Sequence, residues 1–264
     1  MKCCLVVGAS GFLGSSVAAE AVCRGYAVVS VTRNNYLQHI GKEADLLINA
    51  AGNSRKFLDT QDPAKGFDAS VGSVMRVLQD FRFGYYVQLS SGAVYPSEGN
   101  PACNAEDVEL QTDKMTHYGF HKWMAEQLVK HYAPRYLILR LGGFVGPNLK
   151  KNAVYDLLTD GNVFVHPGSE FQLMDTRDMA RCVFDLCEVA QPNGVMNMSA
   201  LGTVSVRQIA EWAGVDVAEQ ADSLPLVRAE LNLGKVSTCL ELPTTEASVK
   251  RFVGEVQRGE IVLK

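Results

Sequence analysis

The segment CCLVVGASGFLG, residues 3–14, decides the fold of this chain. Its first five residues are apolar and predict a buried β-strand, and glycines follow at positions 8, 11 and 14. Glycines between a strand and a helix permit a tight turn, close approach of the backbone to a pyrophosphate and close packing of the helix on the strand. The helix that follows would present free N–H groups to that anion. We therefore predict a dinucleotide-binding turn, with a plain structural turn as the alternative. Its predicted cofactor-binding residues are Gly8, Ser10, Gly11, Phe12, Leu13 and Gly14.

The segments that follow repeat the alternation of strand and helix. Apolar runs predict further strands at 26–32, 45–50, 85–90 and 136–141. Helical patterns lie at 12–24, 67–81, 117–132, 175–188 and 205–214. The strands are too continuously apolar for a sheet with one solvated face, so they indicate a parallel sheet with helices on both faces. We predict an α/β fold, namely a Rossmann-type doubly wound parallel sheet with a small C-terminal substrate-binding lobe.

The pattern loosens after about residue 150, and this suggests the division into domains. Residues 1–150, together with about 175–190, form the predicted NAD(P)-binding domain. Residues 151–264 form most of the predicted substrate-binding lobe, which is interleaved with the sheet. Only the segment 33–44 separates the second strand from the third, which is barely enough for one crossover helix. We therefore expect that a strand which would intervene between these two along the chain is missing.

Composition excludes several function classes. The chain has 264 residues, with 25 Lys and Arg against 29 Asp and Glu, and 47% of its residues are hydrophobic. This is typical of a soluble globular protein and excludes intrinsic disorder. Because there is no block of Lys or Arg, we expect neither a nucleic-acid partner nor binding to a membrane surface. No apolar run approaches the ~18 residues of a membrane-spanning helix.

The seven cysteines are scattered, without the CxxC spacing or nearby histidines of a metal site. We therefore expect reduced thiols, no bound metal and a cytoplasmic location. The apolar start of the chain is loosely similar to a secretion signal, but its glycines interrupt the apolar core. We interpret it as a strand that leads into a turn.

The end of the second strand bears on the choice of cofactor. An acidic residue commonly stands there and binds the adenosine ribose 2′-OH, whereas this chain has Thr32-Arg33-Asn34-Asn35. The guanidinium of Arg33 can pair with a 2′-phosphate through its planar fork of donors. NADP is therefore favoured over NAD. The alternative is that Arg33 is a solvated surface residue.

Two motifs point to acid/base chemistry. Tyr118 and Lys122 are four residues apart at the start of a predicted helix, so they share one face. An ammonium group there stabilises a phenolate, and such a tyrosine can exchange protons with an alcohol or a carbonyl group. Ser90 and Ser91 end the predicted strand 85–90, at the sheet edge where ligands bind in open α/β folds. A serine hydroxyl there can polarise the reacting oxygen, although a simple strand-to-loop turn is the alternative.

Together these motifs resemble the extended branch of the short-chain dehydrogenase/reductase superfamily, the NAD-dependent epimerase/dehydratase family. The resemblance covers roughly residues 1–190. It rests also on Asn49-Ala50-Ala51-Gly52, on Arg140 through Gly146-Pro147, and on Asp175-Thr176-Arg177-Asp178-Met179-Ala180.

The resemblance implies hydride transfer between nicotinamide and a secondary alcohol or ketone of the substrate. Tyr118 would be the acid/base, Lys122 would hold the cofactor ribose and tune Tyr118, and Ser91 would orient the substrate oxygen. Ser91 is preferred to Ser90 because it matches the position of the family's catalytic serine or threonine. Contacts with the cofactor would come also from Asn49, Ala50, Ala51 and Gly52. A homodimer through helices 67–81 and 117–132 is a further implication.

Three departures from the family pattern bear on the substrate. Gly143 stands where the family commonly has an asparagine, and Phe171 stands where it commonly has an arginine. In sugar-nucleotide members those two groups contact the substrate diphosphate, so their joint absence counts against a nucleotide-diphosphate sugar. Ser70 replaces an asparagine of the family, which could weaken the polar relay behind Lys122.

Three functions therefore remain open. The leading one is an NAD(P)-dependent oxidoreductase, NADP favoured, that acts on a sugar-like or other small metabolite. The second is a redox-neutral nucleotide-sugar epimerase or dehydratase that retains NAD, and the third is a non-catalytic NADP-sensing regulator. Arg55 and Lys56 could bind an anionic substrate group, with solvated loop charges as the alternative. His117 and His121, which flank Tyr118, receive no role.

Overall fold

The structure is a computed structural model, and it describes residues 1–53, 56–97, 99–161, 163–189, 193–217, 221 and 223–263. The chain forms two compact units. The first comprises Met1–Pro96, Glu106–Leu141 and Ala180–Asn197, and the second comprises Ser97–Ala105, Gly142–Met179 and Met198–Lys264. The functions assigned to the two parts of the chain stay predictions. They are a cofactor domain at residues 1–150 with about 175–190, and a substrate lobe that comprises most of 151–264.

The strands are, in chain order, β1 (Cys3–Val7), β2 (Ala27–Val31), β3 (Glu43–Asn49), β4 (Arg82–Leu89), β5 (Tyr136–Leu141), β6 (Gly143–Val145), β7 (Glu170–Phe171), β8 (Leu173–Asp175), β9 (Gly194–Met198), β10 (Val204–Ser205) and β11 (Arg228–Ala229). The helices are α1 (Phe12–Cys23), α2 (Tyr36–His39), α3 (Lys56–Gln61), α4 (Pro63–Phe67), α5 (Ser73–Asp80), α6 (His117–Tyr132), α7 (Ala153–Asp160), α8 (Thr176–Val189), α9 (Val206–Ala213), α10 (Gly234–Ser237) and α11 (Thr245–Gln257).

The first unit contains a six-stranded sheet of order β2-β1-β3-β4-β5-β9. Strands β1 to β5 pair in parallel, with Leu5 opposite both Val29 and Leu47, and Leu47 opposite Tyr86. The predicted Rossmann-type sheet is therefore confirmed. Among the described residues β2 is an edge strand followed only by the short α2, as the brief segment 33–44 predicts. Strand β9 was not predicted, because its short sequence GVMNM lacks a continuous apolar run.

The sheet is buried on both faces. Alternate strand residues point to opposite faces, and both sets are fully buried in β1: Cys4 and Val6 on one side, Leu5 on the other. On the face of Leu5, the core includes Val77 of α5 and Val129 of α6. Because both faces are covered, the strands need no polar alternation, and this explains their uniformly apolar sequences.

The predicted helices at 12–24, 117–132, 175–188 and 205–214 agree with α1, α6, α8 and α9 to within a residue or two. The predicted helix 67–81 is wrong in detail. The helical segment begins at Pro63, where the Asp62 side chain accepts a hydrogen bond from the Lys65 N–H. A π-helical turn, Asp68–Gly72, then separates α4 from α5. Such turns insert one extra residue, which a 3.6-residue periodicity does not reveal.

A buried ion pair fixes α6 to the sheet. Glu126 of α6 is completely buried and receives hydrogen bonds from Arg140 of β5, the shortest of them 2.8 Å from Nη2 to Oε2. Ser90 donates to the same carboxylate at 2.7 Å. Arg140 also donates to the Tyr95 hydroxyl at 2.8 Å, and Tyr95 donates to Asn197 at 2.9 Å. Burial disfavours the charge of Arg140, but its bonds to Glu126 outweigh this and hold the pKa of Arg140 above its usual value.

The second unit contains small sheets and helices. Strands β10, β7 and β11 form one sheet in that order, and β6 pairs with β8 in parallel. Helix α8 begins in the predicted segment 175–180, where Asp175 accepts a hydrogen bond from the Arg177 backbone N–H at 2.8 Å. Arg177 also joins Asp175 to Glu255 of α11.

Over the described ranges, no helix is both long enough and apolar enough to cross a membrane. None of the seven cysteines forms a disulfide bond in the structure.

The ion pair of Arg140 and Glu126 predicts an asymmetric response to substitution. Arg140→Met leaves the Glu126 charge buried without its partner, so we expect the free energy of unfolding to fall by about 3–5 kcal/mol. The double variant Glu126→Leu with Arg140→Met buries no unpaired charge and should recover most of that loss. Urea denaturation measures both. The exposed pair of Lys250 and Glu246 serves as control, since Glu246→Ala should cost less than about 1 kcal/mol. A double variant as unstable as Arg140→Met would contradict this account.

Candidate active site

The turn at Gly8–Gly14 has the backbone geometry that its glycines predict. Gly8 has φ +81°, in the left-handed region, and its N–H donates to the Val31 carbonyl of β2 at 2.8 Å. A Cβ on Gly14 would lie 2.0 Å from the Gly8 oxygen, so the first turn of α1 packs directly on the preceding loop. Side chains larger than hydrogen at these positions would force the turn apart.

The start of α1 has neither a side-chain cap nor an acidic residue. Gly11 precedes the helix and offers no side-chain cap, and the first turn contains no acidic residue. The N–H groups of this first turn have no acceptors within the helix, and the helix dipole adds positive charge there. Ser10 and Gly11 are exposed, whereas Phe12 and Leu13 are half-buried. This arrangement fits a pyrophosphate group.

Arg33 lies two residues beyond β2, at the edge of the sheet. Its side chain is exposed, and no acceptor within the described residues pairs with it. Asn35 fixes the loop, because its Oδ1 accepts from the Thr32 N–H at 2.6 Å and its Nδ2 donates to the Ser30 carbonyl at 3.0 Å. The guanidinium is therefore held on an ordered loop but is not engaged by a carboxylate there.

The Asn49–Gly52 segment lies against the glycine turn. A Cβ on Gly8 would stand 2.8 Å from the Ala51 nitrogen, so the two loops touch through their backbones. Asn49 is buried; its Nδ2 donates to Tyr86 and Gln88, and its Oδ1 accepts from the Ala51 N–H at 3.1 Å. The side chain of Asn49 therefore shapes the loop from inside the protein. Ala50 and Ala51 are half-buried, and Gly52 is exposed.

The two serines after β4 have different surroundings. The Ser90 hydroxyl is buried and donates to Glu126. Ser91 is half-buried, and its Oγ accepts from the Ala93 N–H at 3.2 Å, which caps the short turn Gly92–Val94. Ser91 therefore keeps its hydroxyl proton for another acceptor, whereas Ser90 uses its proton within the core.

Helix α6 brings Tyr118 and Lys122 close to that turn. Thr116 caps the helix by accepting from the Gly119 N–H at 3.1 Å. A Cβ on Gly119 would lie 2.0 Å from the Ala93 oxygen, so the start of α6 rests directly on the turn that follows Ser91. The tight contact requires glycine. The structure thus brings Ser91, Tyr118 and Lys122 into one region of the first unit.

Lys122 has an unusual environment for a lysine. It is only 7% exposed, and its Nζ lies 5.7 Å from the ring centroid of Tyr118, which is 8% exposed. A Cβ added to Gly52, which has φ +147°, would lie 3.2 Å from the same Nζ. Within the described residues, no carboxylate forms an ion pair with Lys122. Lysine side chains are almost never fully buried unless they are paired, so the environment of Lys122 is uncommon.

Sequence reasoning assigned no role to His121, Asp59 or Asn53, which interact with one another in this region. His121 Nδ1 lies 2.6 Å from an Oδ1 of the fully buried Asp59 in α3, and Asn53 Nδ2 donates to the other oxygen of that carboxylate. Lys56, also in α3, has its Nζ 5.9 Å from the Tyr118 ring centroid. A histidine three residues after Tyr118 was visible in the sequence, but its partner is 62 residues distant and was not. Arg55 lies outside the described residues.

The three departures from the family pattern occupy defined positions. Gly143 begins β6, and a Cβ there would lie 2.7 Å from Leu173 Cδ2 and 3.0 Å from the Gln172 carbonyl oxygen, so a larger residue would have to displace these neighbours. Phe171 is half-buried in β7. Ser70 lies in the π-helical turn of the first unit, where its buried hydroxyl has no hydrogen-bond partner in the described part of the chain.

The first unit combines a Rossmann-type α/β sheet with a glycine-rich turn between β1 and α1. The model of the NAD dependent epimerase/dehydratase family matches residues 4–198, well over half of the sequence, and the chain belongs to that family. The predicted resemblance is thus confirmed. No curated protein sequence matches the chain significantly.

Solved structures of this fold include several nucleotide-sugar enzymes. A UDP-galactose 4-epimerase superposes with a TM-score of 0.76 at 21% identity, covering 97% of this chain and 99% of that one. A dTDP-4-dehydrorhamnose reductase from Bacillus anthracis in complex with NADP gives 0.76 at 17% identity, covering 96% and 98%. MoeE5 in complex with UDP-glucuronic acid and NAD gives 0.78 at 18% identity, covering 97% and 99%. At these identities the likeness establishes the fold.

Two helical glycines give a matched test of the contact between α6 and the Ser91 turn. Gly254 in α11 has only the flexible end of Arg258 near its missing Cβ, at 3.1 Å. Gly254→Ala should leave the free energy of unfolding unchanged or raise it by up to about 1 kcal/mol, the usual gain in a helix. Gly119→Ala should lower it by about 1–3 kcal/mol, because backbone must move. Urea denaturation compares them, and equal stability of the two variants would rule out the close contact.

Proposed function

We propose that the protein is an NAD(P)-dependent oxidoreductase that transfers hydride between a nicotinamide cofactor and a secondary alcohol or ketone of a sugar-like small metabolite. The supporting observation is the buried Lys122 ammonium beside the Tyr118 ring, which has no carboxylate partner among the described residues. An unpaired cation in this position is suited to hydroxyl groups of a bound cofactor ribose. The first unit would bind the cofactor.

Tyr118 would exchange a proton with the substrate oxygen. In the direction of reduction, the phenol gives its proton to the carbonyl oxygen as hydride reaches the carbonyl carbon, and in oxidation both transfers run backwards. Lys122 stabilises the phenolate that remains, since its Nζ lies 5.7 Å from the ring centroid. Bound nicotinamide supplies or accepts the hydride.

Ser91 would donate its hydroxyl proton to the same substrate oxygen and polarise it. The choice of Ser91 is supported by the different engagement of the two serines: Ser90 already donates to Glu126, whereas Ser91 only accepts, from the Ala93 N–H. A donor fixed before the reaction stabilises negative charge that develops on the oxygen. This gives a proposed catalytic set of Ser91, Tyr118 and Lys122.

NADP is the proposed preferred cofactor. Arg33 is exposed on an ordered loop at the end of β2, where the adenosine ribose of a dinucleotide lies in Rossmann-type folds. Its guanidinium suits a 2′-phosphate, and no acidic residue stands beside it in the segment Thr32–Asn35 to favour a free 2′-hydroxyl. NAD remains the alternative, and both cofactors occur in the similar structures.

The substrate proposal excludes a tightly held diphosphate. Gly143 and Phe171 provide no charged or amide group at the two positions where an asparagine and an arginine would bind it. A small substrate without a nucleotide fits this better. We also propose that the enzyme is cytoplasmic and forms a homodimer, and that it has no nucleic-acid or membrane partner.

A non-catalytic NADP sensor is a weaker proposal because Ser91, Tyr118 and Lys122 are all present.

The family match favours a second candidate, a redox-neutral nucleotide-sugar epimerase or dehydratase that retains NAD. The two functions differ in cofactor stoichiometry. A reductase releases one oxidised cofactor for each product, whereas an epimerase forms product without net cofactor consumption. Measurement of both quantities in one reaction separates them.

Cofactor preference is tested by thermal unfolding with NADPH, NADP⁺, NADH and NAD⁺ at matched concentrations. A ligand that binds only the folded state stabilises it by about 2.7 kcal/mol at 100 times its Kd. We expect NADPH to stabilise most, and the advantage over NADH to disappear in Arg33→Ala. Arg24→Ala, which removes a guanidinium engaged with Glu20 and Asp185, is the control and should keep the preference. Stronger stabilisation by NAD⁺ would overturn the role of Arg33 and favour the epimerase.

The catalytic set is tested by Tyr118→Phe. This variant should bind cofactor normally and lose at least about a hundredfold in turnover, because it removes the proton that the substrate oxygen needs. Ser91→Ala should also lose turnover, with a stability loss of about 0.5–2 kcal/mol because its Oγ caps the turn Gly92–Val94. Ser90→Ala should instead lose stability, since a donor to buried Glu126 is removed. Full activity in Tyr118→Phe would refute the assignment.

A further inference from the structure

A buried carboxylate joins two segments next to Lys122. Asp59 is completely buried in α3. One of its oxygens lies 2.6 Å from His121 Nδ1, and the other accepts from Asn53 Nδ2. Asn53 directly follows Gly52, and His121 directly precedes Lys122. One carboxylate therefore ties the loop that ends in Gly52 to the turn of α6 that holds Lys122.

The two tied segments meet at the ammonium group. A Cβ on Gly52 would lie 3.2 Å from Lys122 Nζ, so the loop backbone forms one wall of the lysine's surroundings. Gly52 has φ +147°, a conformation that needs support from its neighbours. The hydrogen bond from Asn53 to Asp59 supplies that support directly after the glycine.

Helix α4 packs against the Asp59 carboxylate and shields it from solvent. A Cβ on Gly66 would lie 2.7 Å from Asp59 Oδ1, and the Phe67 ring contacts His121 edge-on, with centroids 5.8 Å apart. Because water has little access, a hydrogen bond lost from Asp59 would not be replaced by solvent. We call Asp59, His121 and Asn53 the carboxylate clamp.

We propose that Asp59 and His121 are positioning residues which, through the clamp, hold Gly52 against Lys122 and so shape the region that receives the nicotinamide end of the cofactor. This inference rests on the proposed function. Neither residue needs to touch substrate or cofactor. The clamp acts by fixing the distance between the loop after β3 and helix α6, and through α3 it also fixes Lys56 beside the Tyr118 ring.

The role of His121 is specific to one ring nitrogen. Its Nδ1 donates to Asp59, so a shorter side chain that presents an N–H at that point should replace it. The amide nitrogen of asparagine falls near Nδ1, whereas that of glutamine extends toward the position of Nε2. We therefore expect His121→Asn to retain the clamp and His121→Gln to break it.

The test compares whole dinucleotide with its adenosine half. The probes are NADPH with 2′-phospho-AMP, or NADH with AMP, depending on which dinucleotide binds wild type more tightly. The half-molecule reaches the glycine turn but not Lys122. We expect His121→Gln to weaken dinucleotide binding by about tenfold, a loss of one charge-assisted hydrogen bond, and to change binding of the half less than twofold. Asp59→Asn, which presents an amide N–H to one of its two donors, should show the same selective loss.

Two further variants complete the experiment. His121→Asn should bind both probes within about twofold of wild type. His131→Gln is the matched control, since His131 is an exposed histidine on the same helix and does not contact Asp59. Hydrogen exchange of the Ala51–Asn53 amides without ligand should quicken in His121→Gln and remain unchanged in His121→Asn and His131→Gln.

The outcomes separate the two proposals. If wild type binds no dinucleotide, the proposed function fails and the cofactor role of the clamp fails with it. If wild type binds dinucleotide but His121→Gln loses both probes equally, or neither, only the positioning role is overturned. Failure of His121→Asn to restore binding would also overturn it, because the Nδ1 hydrogen bond would not be the property that matters.

Discussion

The burial of ionisable side chains on helix α6 is the constraint on which the structure of the first unit depends. Tyr118, Lys122 and Glu126 follow one another at intervals of four residues and all face the interior. Glu126 is neutralised by Arg140 and receives the Ser90 hydroxyl. Lys122 has no comparable carboxylate in the described residues. The same helix face therefore carries a paired charge at one end and, within the described residues, a lysine without a carboxylate partner at the other.

Close approach of backbones brings the remaining parts of the site together. Gly14 lets α1 rest on the Gly8 carbonyl, and Gly119 lets α6 rest on the Ala93 carbonyl. Gly8 likewise allows the turn after β1 to touch the loop after β3. Because these contacts involve main chain, which has few alternative conformations, the positions of Ser91 and Lys122 follow from the sheet and helices and not from flexible side chains.

The second unit holds two of the departures from the family pattern in packed positions. Gly143 lies opposite Leu173 where β6 pairs with β8, and Phe171 pairs with Val204 and Ala229 in a separate sheet. Gly143 and Phe171 both take part in strand pairing, so a residue typical of the family at either position would have to fit among these neighbours. Function resides in such sites and not in the fold as a whole.

The sequence by itself determined the Rossmann-type sheet, the glycine turn and the shared face of Tyr118 and Lys122, because apolar runs, glycine spacing and helical periodicity are local properties. Only the tertiary structure decided which serine keeps a free proton, and that Asn49 shapes its loop from within. It also decided the partners of Asp59 and of Glu126, which are 62 and 14 residues away along the chain. Those pairings depend on how helices pack on the sheet, and no short-range pattern encodes them.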